Sequence, residues 1–399
     1  MQHVDIAIVG GGIVGLTLAA ALKDSELNIA IIDKSPCYQV LADRPTARVS
    51  AINQANIKAL QQFDVWPHLQ QDRANSYTAM HVWDKDSFGD IHFSCDEMGS
   101  DTLGVIVENQ ALVNALAQAV EAQSNVQLVT AGIDRVLAGP NQTMLMLDND
   151  DVLSCRLLVG ADGANSFVRK QAGLPITFKD YEHTAIVANV KTDEPHNNVA
   201  RQAFTPTGPL ALLPMAEPNV CSIVWSQTPE QASSLMALDD DAFCHALTAA
   251  SNSVLGTISL ETERAAFPLT MRYARQWAKD GVVLVGDAAH TIHPLAGQGV
   301  NLGLMDAAVL AEEVVAAWHR GAPWGSLATL SRYERRRRLD NTAMLGLMKG
   351  FKVLFGSHQP VFTLARNLGM SGMNQLVPLK RVVMRQATGE RGRLPLSCR

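Results

Sequence analysis

A glycine-rich hexapeptide, GGGIVG at residues 10–15, constrains the fold of this chain more than any other feature. It follows a short apolar run, rich in β-branched residues, at positions 5–9, and it precedes small and apolar residues at 14–22. A second apolar run occupies positions 28–32. This order predicts a strand, a tight turn, a helix and a second strand, which together form a parallel βαβ unit. The expected fold class is therefore α/β.

The glycines have the spacing of a dinucleotide-binding turn. Gly10 permits the tight turn, Gly12 lets a pyrophosphate approach the backbone, and Gly15 lets the helix pack closely on the strand. Asp33 follows the second apolar run, where its carboxylate can accept hydrogen bonds from ribose hydroxyls. The alternative is a glycine-rich turn without a ligand. The flanking strand and helix, together with Asp33, favour the binding turn.

Two further motifs follow predicted strands later in the chain. The first is GADGANS at residues 160–166, with Arg169 three residues after it. The second is GDAAH at residues 286–290, which is followed by Pro294 and by GQGVN at residues 297–301. An Asp-Gly pair alone is a common turn. An acid after a strand can, however, hold a chain of hydroxyl groups, and a helix that begins near residue 300 presents free N–H groups and a partial positive charge.

The elements between these motifs predict a second domain inserted into a discontinuous cofactor domain. Antiparallel strands are expected at residues 184–190, 210–213 and 220–225. We therefore predict a cofactor domain from residues 1–75, 101–178 and 268–340, a substrate domain from residues 76–100 and 179–267, and a C-terminal helical region at residues 341–399.

The three motifs, in this order, resemble the FAD-dependent aromatic hydroxylases related to para-hydroxybenzoate hydroxylase. The resemblance implies a Rossmann-like FAD-binding domain, an inserted antiparallel β-sheet substrate domain and a C-terminal helical segment. In that family the first motif holds the ADP half of FAD, the second serves FAD and NAD(P)H, and the third holds the ribityl chain. The cofactor-binding residues so implied are Gly10, Gly12, Gly15, Asp33, Arg48, Asn109, Asp162, Arg169, Asp287, Pro294, Gly297, Gly299 and Asn301.

Shorter runs narrow the resemblance to the hydroxylases of ubiquinone biosynthesis. They are RVS at residues 48–50, the GDAAH motif and YER at residues 333–335. The run VWDKDSFG at residues 82–89 looks most like the branch that hydroxylates 2-polyprenylphenol. Arg48 matches an arginine that lies over the flavin, whereas Asn109 stands where many members have arginine. An asparagine there can still donate a hydrogen bond to the cofactor.

The chemistry implied is flavin monooxygenation with NAD(P)H and O2 as co-substrates. Reduced flavin reacts with O2 to give a C4a-hydroperoxide, and an electron-rich phenol attacks its distal oxygen. The protein excludes water and holds the ring near that oxygen. Neither a metal site nor a nucleophilic triad is required, and none is predicted. His290, next to the third motif, is the candidate catalytic residue, although a structural histidine is the competing interpretation.

Composition limits the partners and the location. The net charge of -6 disfavours nucleic acid, and the six cysteines include no CxxC pair, as in a reduced cytoplasmic protein. A membrane span is not expected, because no stretch of 18 apolar residues occurs. The expected partner is a polyprenylphenol, and contact with the inner membrane surface, with a biosynthetic complex or with a second copy stays open. The alternative functions are a flavin-dependent reductase or epoxidase of an isoprenoid lipid and a non-catalytic FAD-holding subunit.

Two features near the C-terminal region predict an interaction surface. Arg332 and the run Arg335, Arg336, Arg337 and Arg338 form a basic cluster, for which a solvated helix face is the favoured interpretation. An apolar stripe at residues 344–355 has helical spacing. The stripe and the arginines could dock on anionic lipid, or the stripe could close the core or a dimer.

Overall fold

The computed structural model describes residues 1–139, 142–291, 299–356, 372, 377–390 and 392–399. For residues 342–356 and 377–379 it describes the backbone only. Pro294 and Gly297, both predicted to bind cofactor, therefore lie outside the described residues. So do the side chains of the apolar stripe at residues 344–355, and its docking role stays a prediction.

Strands are numbered along the described chain. They are β1 (Gln2–Val9), β2 (Ile29–Asp33), β3 (Val49–Asn53), β4 (Ala74–Tyr77), β5 (Ala79–Asp84), β6 (Asp90–Ser94), β7 (Gly104–Glu108), β8 (Val126–Thr130), β9 (Ile133–Ala138), β10 (Thr143–Leu147), β11 (Val152–Gly160), β12 (Ile176–Thr192), β13 (Val199–Thr205), β14 (Gly208–Pro214), β15 (Val220–Gln227), β16 (Ile258–Leu260), β17 (Ala265–Ala274), β18 (Ala278–Lys279), β19 (Val282–Leu284) and β20 (His290–Thr291).

Helices of the described chain are numbered in the same way. They are α1 (Ile13–Ala21), α2 (Gln54–Gln62), α3 (Asn109–Glu121), α4 (Phe167–Gln171), α5 (Pro229–Met236), α6 (Asp240–Ala250), α7 (Gly299–His319), α8 (Leu327–Gly356) and α9 (Val377–Ala387). Within these described helices, none has the combination of length and apolarity that crossing a membrane requires.

The first sheet is the predicted α/β core. Its strand order is β18-β19-β11-β1-β2-β8, with β10 and β9 attached through β11. The pairs β19–β11, β11–β1, β1–β2 and β2–β8 are all parallel. The second half of strand β1, Ile6 to Val9, is fully buried, because helices cover both faces of a parallel sheet. Helix α1 packs on α3 and α7.

The second sheet is mostly antiparallel, and the side chains along its strands point alternately to its two faces. Its order is β20-β17-β12-β15-β14-β13-β5-β6, with β16 beside β12. On β15, Cys221, Ile223 and Trp225 share a core with Phe243 and Leu247 of α6. Since successive side chains on a strand point to opposite faces, Ser222, Val224 and Ser226 lie on the other face. The predicted antiparallel sheet is thus present.

A third, three-stranded sheet, β3-β7-β4, lies between these two parts. Ala51 of β3 and Ile106 of β7 share a core with Leu213 of the second sheet and with Met384 of α9. Two of the predicted domain limits fall inside continuous strands, since β12 crosses residue 178 and β17 crosses residue 268. The division into domains therefore stays a prediction, and these two limits do not coincide with element ends.

Candidate cofactor site at the carboxyl edge of the parallel sheet

The carboxyl ends of four neighbouring parallel strands bring the three sequence motifs together. Strands β19, β11, β1 and β2 lie side by side, and each ends directly before or within a motif. Backbone hydrogen bonds tie the turns to one another: Ala161 N donates to Val9 O at 2.8 Å, and Val285 N donates to Gly160 O at 3.0 Å. This edge is where ligands bind in open parallel sheets.

The glycines of the first motif have two roles: Gly10 and Gly15 allow close packing, and Gly12 leaves space for a ligand. Gly10 has φ of +111°, and a Cβ there would overlap the carbonyl oxygen of Ala161. A Cβ on Gly15 would overlap the carbonyl oxygen of Gly10. A Cβ on Gly12, in contrast, would have no atom within 4 Å, and α1 has no side-chain cap at this end among the described residues. The uncapped helix start and the open space at Gly12 fit a phosphate group.

Two aspartates flank this opening. Asp33 accepts hydrogen bonds from Gly11 N at 2.7 Å and Ser35 N at 3.0 Å, so it shapes the turn. Asp162 accepts from Phe167 N at 2.6 Å through Oδ2 and thereby caps α4. Its Oδ1 is buried and has no hydrogen-bond partner in the described part of the chain. A buried carboxylate oxygen without a donor fits a hydroxyl of the cofactor.

Asp287 follows β19 at the same edge. Its side chain is exposed at this edge, and protein surrounds it on the other sides. The surrounding protein limits hydration of the charged form and thereby raises the pKa of the Asp287 carboxyl group; His290 and Arg272 oppose the rise, and Asp306 adds to it. A carboxylate in such a recess can accept hydrogen bonds from a polyol chain.

The third motif is packed tightly against both α1 and α7. Gly286 has φ of +57°, and a Cβ there would lie 3.0 Å from Val14 Cγ2. A Cβ on Gly303 would lie 2.6 Å from the same atom. Gly303 was not predicted as a site residue, although a glycine in the first turns of α7 marks a close helix contact. These glycines let the start of α7 reach the sheet edge.

A buried network of charged side chains holds the Gly286–Asp287 turn in place. Asp306 of α7 accepts hydrogen bonds from Gly286 N at 3.1 Å, from His290 Nε2 at 2.6 Å and from Arg337 Nε at 2.6 Å. Tyr333 donates from its hydroxyl to Leu284 O at 2.9 Å. Burial alone would raise the pKa of Asp306, but His290 and Arg337 outweigh it and lower the pKa. Asp306 and Tyr333 were not predicted from the sequence.

His290, the predicted catalytic residue, is part of that network. Its side chain is 3% exposed, and its ring lies 4.9 Å from the ring of Trp277. With Nε2 bound to Asp306, its contacts are those of a residue that positions the Gly286–Asp287 turn. The catalytic role of His290 stays a prediction.

Arg169 joins the second motif to the third. Its guanidinium is buried and donates to Ala164 O at 2.9 Å and to Ala288 O at 2.8 Å. Burial lowers its pKa, while nearby Asp162 raises it and Arg272 lowers it. Arg169 thus fixes the relative position of the two turns that carry Asp162 and Asp287.

The remaining predicted residues gather around β3. Asn301 of α7 accepts from Asn53 N at 3.0 Å and donates to Ala51 O at 2.7 Å. Asn109 accepts from Ser50 Oγ at 2.7 Å, and its backbone N donates to Arg48 O at 2.9 Å. Gly299 begins α7 and is exposed. Arg48, Asn109 and Asn301 are therefore linked through one strand.

The second sheet meets this group at Arg48. The Arg48 guanidinium carbon lies 5.2 Å from the centre of the Phe267 ring on β17. Asn189 Nδ2 donates to Pro45 O at 2.8 Å, and its cross-strand neighbour Ser222 donates to Ala47 O at 3.5 Å. Asn189 and Ser222 escaped prediction because single polar residues inside a strand carry no motif.

The basic cluster was predicted to be a solvated helix face, and this prediction is wrong. Arg337 is buried on Asp306, and Arg336 contacts both Glu312 and Glu313, at 2.8 Å and 2.7 Å. Arg338 pairs with Glu334 at 3.1 Å. Alternate residues of a helix point in different directions, so one run of arginines serves several neighbours. The exposed members, Arg332 and Arg335, line a cavity of about 450 Å³ together with Arg320 and Arg393.

Comparison with known proteins agrees with this geometry. Residues 3–346 match the family described as FAD binding domain. The chain is 36% identical over 390 residues to 3-demethoxyubiquinol 3-hydroxylase of Escherichia coli (strain K12), covering 97% of this chain and 99% of that protein. It is 34% identical over 435 residues to the mitochondrial ubiquinone biosynthesis monooxygenase COQ6 of Drosophila melanogaster, covering 98% and 90%.

Solved structures share the fold at low sequence identity. The p-nitrophenol 4-monooxygenase PnpA from Pseudomonas putida DLL-E4 has a TM-score of 0.79 and 17% identity, over 98% of this chain and 100% of that chain. PqsL of P. aeruginosa, in complex with 2-aminobenzoylacetate, has a TM-score of 0.79 and 19% identity, over 93% and 100%.

Proposed function

The chain belongs to the FAD-binding domain family, with hydroxylases of ubiquinone biosynthesis among its relatives, and we propose that it hydroxylates the aromatic ring of a polyprenylated phenol in that pathway. The enzyme is an FAD-dependent monooxygenase that takes electrons from NAD(P)H. The observation that carries the proposal is the convergence of Gly12, Asp162 and Asp287 at the carboxyl edge of one parallel sheet, beside the second sheet.

The residues at this edge divide the binding of FAD between them. The α1 N-terminus at Gly12 would hold the pyrophosphate, and Asp33 the adenosine ribose. Asp162 Oδ1 would accept from a cofactor hydroxyl, and Asp287 would accept from the ribityl chain. The start of α7 would place N–H donors beside the reactive ring.

Bound FAD would supply the two-electron activation of O2 that turns it into a donor of one oxygen atom. The chain itself must hold the phenol ring close to the flavin and keep water out. Arg48 lies where the two sheets meet, with its guanidinium against the ring of Phe267. It is therefore suited to hold the two sheets in position. The buried network of Asp306 and His290 keeps the Asp287 turn in place.

Two ring substrates agree with different observations. The run at residues 82–89 resembles the branch that acts on 2-polyprenylphenol. The Escherichia coli relative is instead named for 3-demethoxyubiquinol. Both are electron-rich rings with a polyprenyl tail, and that shared chemistry is what we propose for the substrate. The finer choice between them is an outcome of the experiment below.

The test is mass spectrometry of quinone intermediates in cells that lack this protein. We expect one under-hydroxylated prenylated ring to accumulate and to disappear when the wild-type gene is restored. A 2-polyprenylphenol would assign the early ring position, and a demethoxyubiquinol the late one. Unchanged quinone content would contradict the proposal. An accumulated isoprenoid with an unreduced or unepoxidised tail would favour the reductase or epoxidase alternative.

Turnover by the purified protein separates an enzyme from an FAD-holding subunit. A catalytic role predicts that the FAD-loaded protein oxidises NAD(P)H when the phenol is added. A purely FAD-holding role predicts no phenol-dependent oxidation of NAD(P)H.

We also propose that the protein meets the membrane surface, since its substrate carries a lipid tail. The cavity lined by Arg320, Arg332, Arg335 and Arg393 also has Glu312 and Glu313 in its wall, and both contact Arg336. Its lining therefore carries more arginines than glutamates and offers positive charge for anionic head groups. Flotation with vesicles that contain anionic lipid should fall for Arg332→Glu with Arg335→Glu. Equal flotation of the double variant would rule out this surface.

A further inference from the structure

The hairpin of β5 and β6 carries three metal-ligating side chains on one face. His81 of β5 lies directly opposite His92 of β6 in the antiparallel register. Asp90 lies two residues before His92 on the same strand. Cross-strand partners share a face, and so do residues two apart on a strand. The pairing therefore places all three side chains together at the edge of the second sheet, whichever rotamers they adopt.

The side chains already converge on a common point. His81 Nε2 lies 2.6 Å from Asp90 Oδ2, and His92 Nε2 lies 3.0 Å from Asp90 Oδ1. The two imidazole rings are stacked, with centroids 4.0 Å apart and 10° between their planes. The possible ligand atoms of all three residues lie within 4.8 Å of one another. In a tetrahedral zinc site with bonds of about 2.0–2.2 Å, ligand atoms stand roughly 3.3 Å apart. Small side-chain rotations suffice to reach that spacing.

The surroundings favour ligands that are ready to coordinate. His81 stacks on Trp83 at 4.7 Å, and the Trp83 indole donates to Asn252 Oδ1 at 2.8 Å, which fixes the ring under the histidine. His81 is thus held by Trp83 and by Asp90 at once.

One charge opposes cation binding. Arg201 of β13 lies opposite His81 in the neighbouring strand register. Its Nη1 donates to His196 O at 2.9 Å and to Val199 O at 3.1 Å, so these hydrogen bonds hold the guanidinium on backbone carbonyl groups. The carboxylate of Asp90 contacts both imidazoles directly.

We propose that His81, Asp90 and His92 bind one divalent transition-metal ion of the zinc type, with water completing the coordination. Two imidazole nitrogens and one carboxylate oxygen suit such ions, and the side chain of His92, which is 62% exposed, leaves the site open to solvent. The bound ion joins the edge strand β6 to β5. Sequence patterns did not predict a metal because the ligands come from two strands and follow none of the short spacings typical of zinc sites.

The test uses FAD-loaded protein from which the purification tag has been removed and which has been treated with a chelator and then dialysed. Calorimetric titration with Zn²⁺ should show one site per chain. His92→Ala and Asp90→Asn should each weaken that site at least tenfold. His245→Ala, an exposed histidine on α6, is the matched control and should bind like the wild type. Zn²⁺ should also raise the melting temperature of the wild type and of the control, but not of the two site variants.

Either of two results would overturn the site. One is a wild type that takes up no Zn²⁺ at micromolar concentration. The other is equal binding by the wild type and Asp90→Asn. Asp90→Asn keeps the shape of the side chain, so an unchanged flavin content and circular dichroism spectrum separate loss of a ligand from loss of the fold. The proposal does not depend on the aromatic substrate, since neither hydroxylation nor O2 uptake is its readout.

Discussion

Two regions of the molecule, the cofactor edge of the parallel sheet and the face of the antiparallel sheet that carries Asn189 and Ser222, obtain their polar residues from the sequence in different ways. At the edge, Gly12, Asp162 and Asp287 sit in turns that directly follow strands, so each belongs to a short sequence motif. On the face, Asn189 and Ser222 are single polar residues of long strands and contact a segment more than a hundred positions away. A motif can specify a turn, whereas a sheet face is specified only by the register of several strands.

The largest expected effect comes from comparing two ion pairs: the buried pair Asp306–Arg337 below the cofactor edge, and the pair Asp240–Arg264 beside the antiparallel sheet. Asp306 pairs with Arg337 at 2.6 Å, with both side chains nearly inaccessible. Asp306→Asn removes the buried carboxylate shared by Arg337 and His290, leaves Arg337 with the partly exposed Asp340 alone, and should destabilise the fold by up to about 3–5 kcal/mol. Asp240, at the start of α6, has an exposed side chain that pairs with Arg264. Asp240→Asn breaks this pair and should lower the unfolding free energy by about 0–1 kcal/mol. Denaturant unfolding measures both, and equal losses would refute the distinction.

The same pair predicts a pH dependence. The pKa of Asp306 is lower in the folded protein than its ordinary value. Its contribution to stability is therefore complete above the ordinary carboxyl pKa of about 4 and is lost as the pH falls through the lowered value. The stability difference between wild type and Asp306→Asn should be constant near neutral pH and shrink in acid. A difference that grows in acid would mean that the carboxyl group is neutral in the fold.

The second prediction concerns two aspartates of the cofactor edge. Asp287→Ala should weaken FAD binding by roughly 1.5–3 kcal/mol, because a charge-assisted hydrogen bond beside the reactive ring is lost. Asp33→Ala should weaken it less, since its proposed contact is with the adenosine ribose, far from the reactive ring. Ser233→Ala, an exposed position on α5, is the control that should keep full affinity. Fluorescence titration of apoprotein with FAD measures all three. Equal flavin affinity of the two aspartate variants would show that the third motif has another role.

The smallest expected effect compares two glycines of one motif. Gly10→Ala places a methyl group on the Ala161 carbonyl at positive φ and should lower the unfolding free energy of the apoprotein by more than about 1 kcal/mol. Gly12→Ala enters open space and should change it by no more than about 0.5 kcal/mol. FAD binding should nevertheless fall for Gly12→Ala, because the methyl group occupies the phosphate position. Normal flavin binding by Gly12→Ala would place the pyrophosphate elsewhere.

Sequence patterns predicted the parts of the site that local rules determine. The strand ends at Gly160 and Leu284 follow from apolar runs that meet glycine, and β2 ends where its apolar run meets Asp33. Arg169 belongs to the second motif, and its predicted role in cofactor binding stays a prediction. Its contacts with Ala164 and Ala288 depend on how two distant turns meet. Local sequence carries no information on that meeting.

The basic cluster shows where such prediction fails. A run of arginines on a helix is usually solvated, but here the neighbouring α7 presents Asp306, Glu312 and Glu313 to the consecutive residues Arg336 and Arg337 of α8. Only the packing of the two helices decides that Arg337 is buried while Arg335 is exposed. His290 is similar, because its partner Asp306 lies sixteen residues later on another element.

The most direct test of the proposed function follows the oxygen atom. FAD-loaded protein is given NAD(P)H, a short-tailed prenylated phenol and heavy-isotope oxygen gas in ordinary water, and the product is analysed by mass spectrometry. The account predicts one additional ring hydroxyl whose oxygen comes from the gas, with O2 uptake that depends on the phenol. An unlabelled product, or consumption of NAD(P)H with release of hydrogen peroxide and no hydroxylated ring, would contradict it.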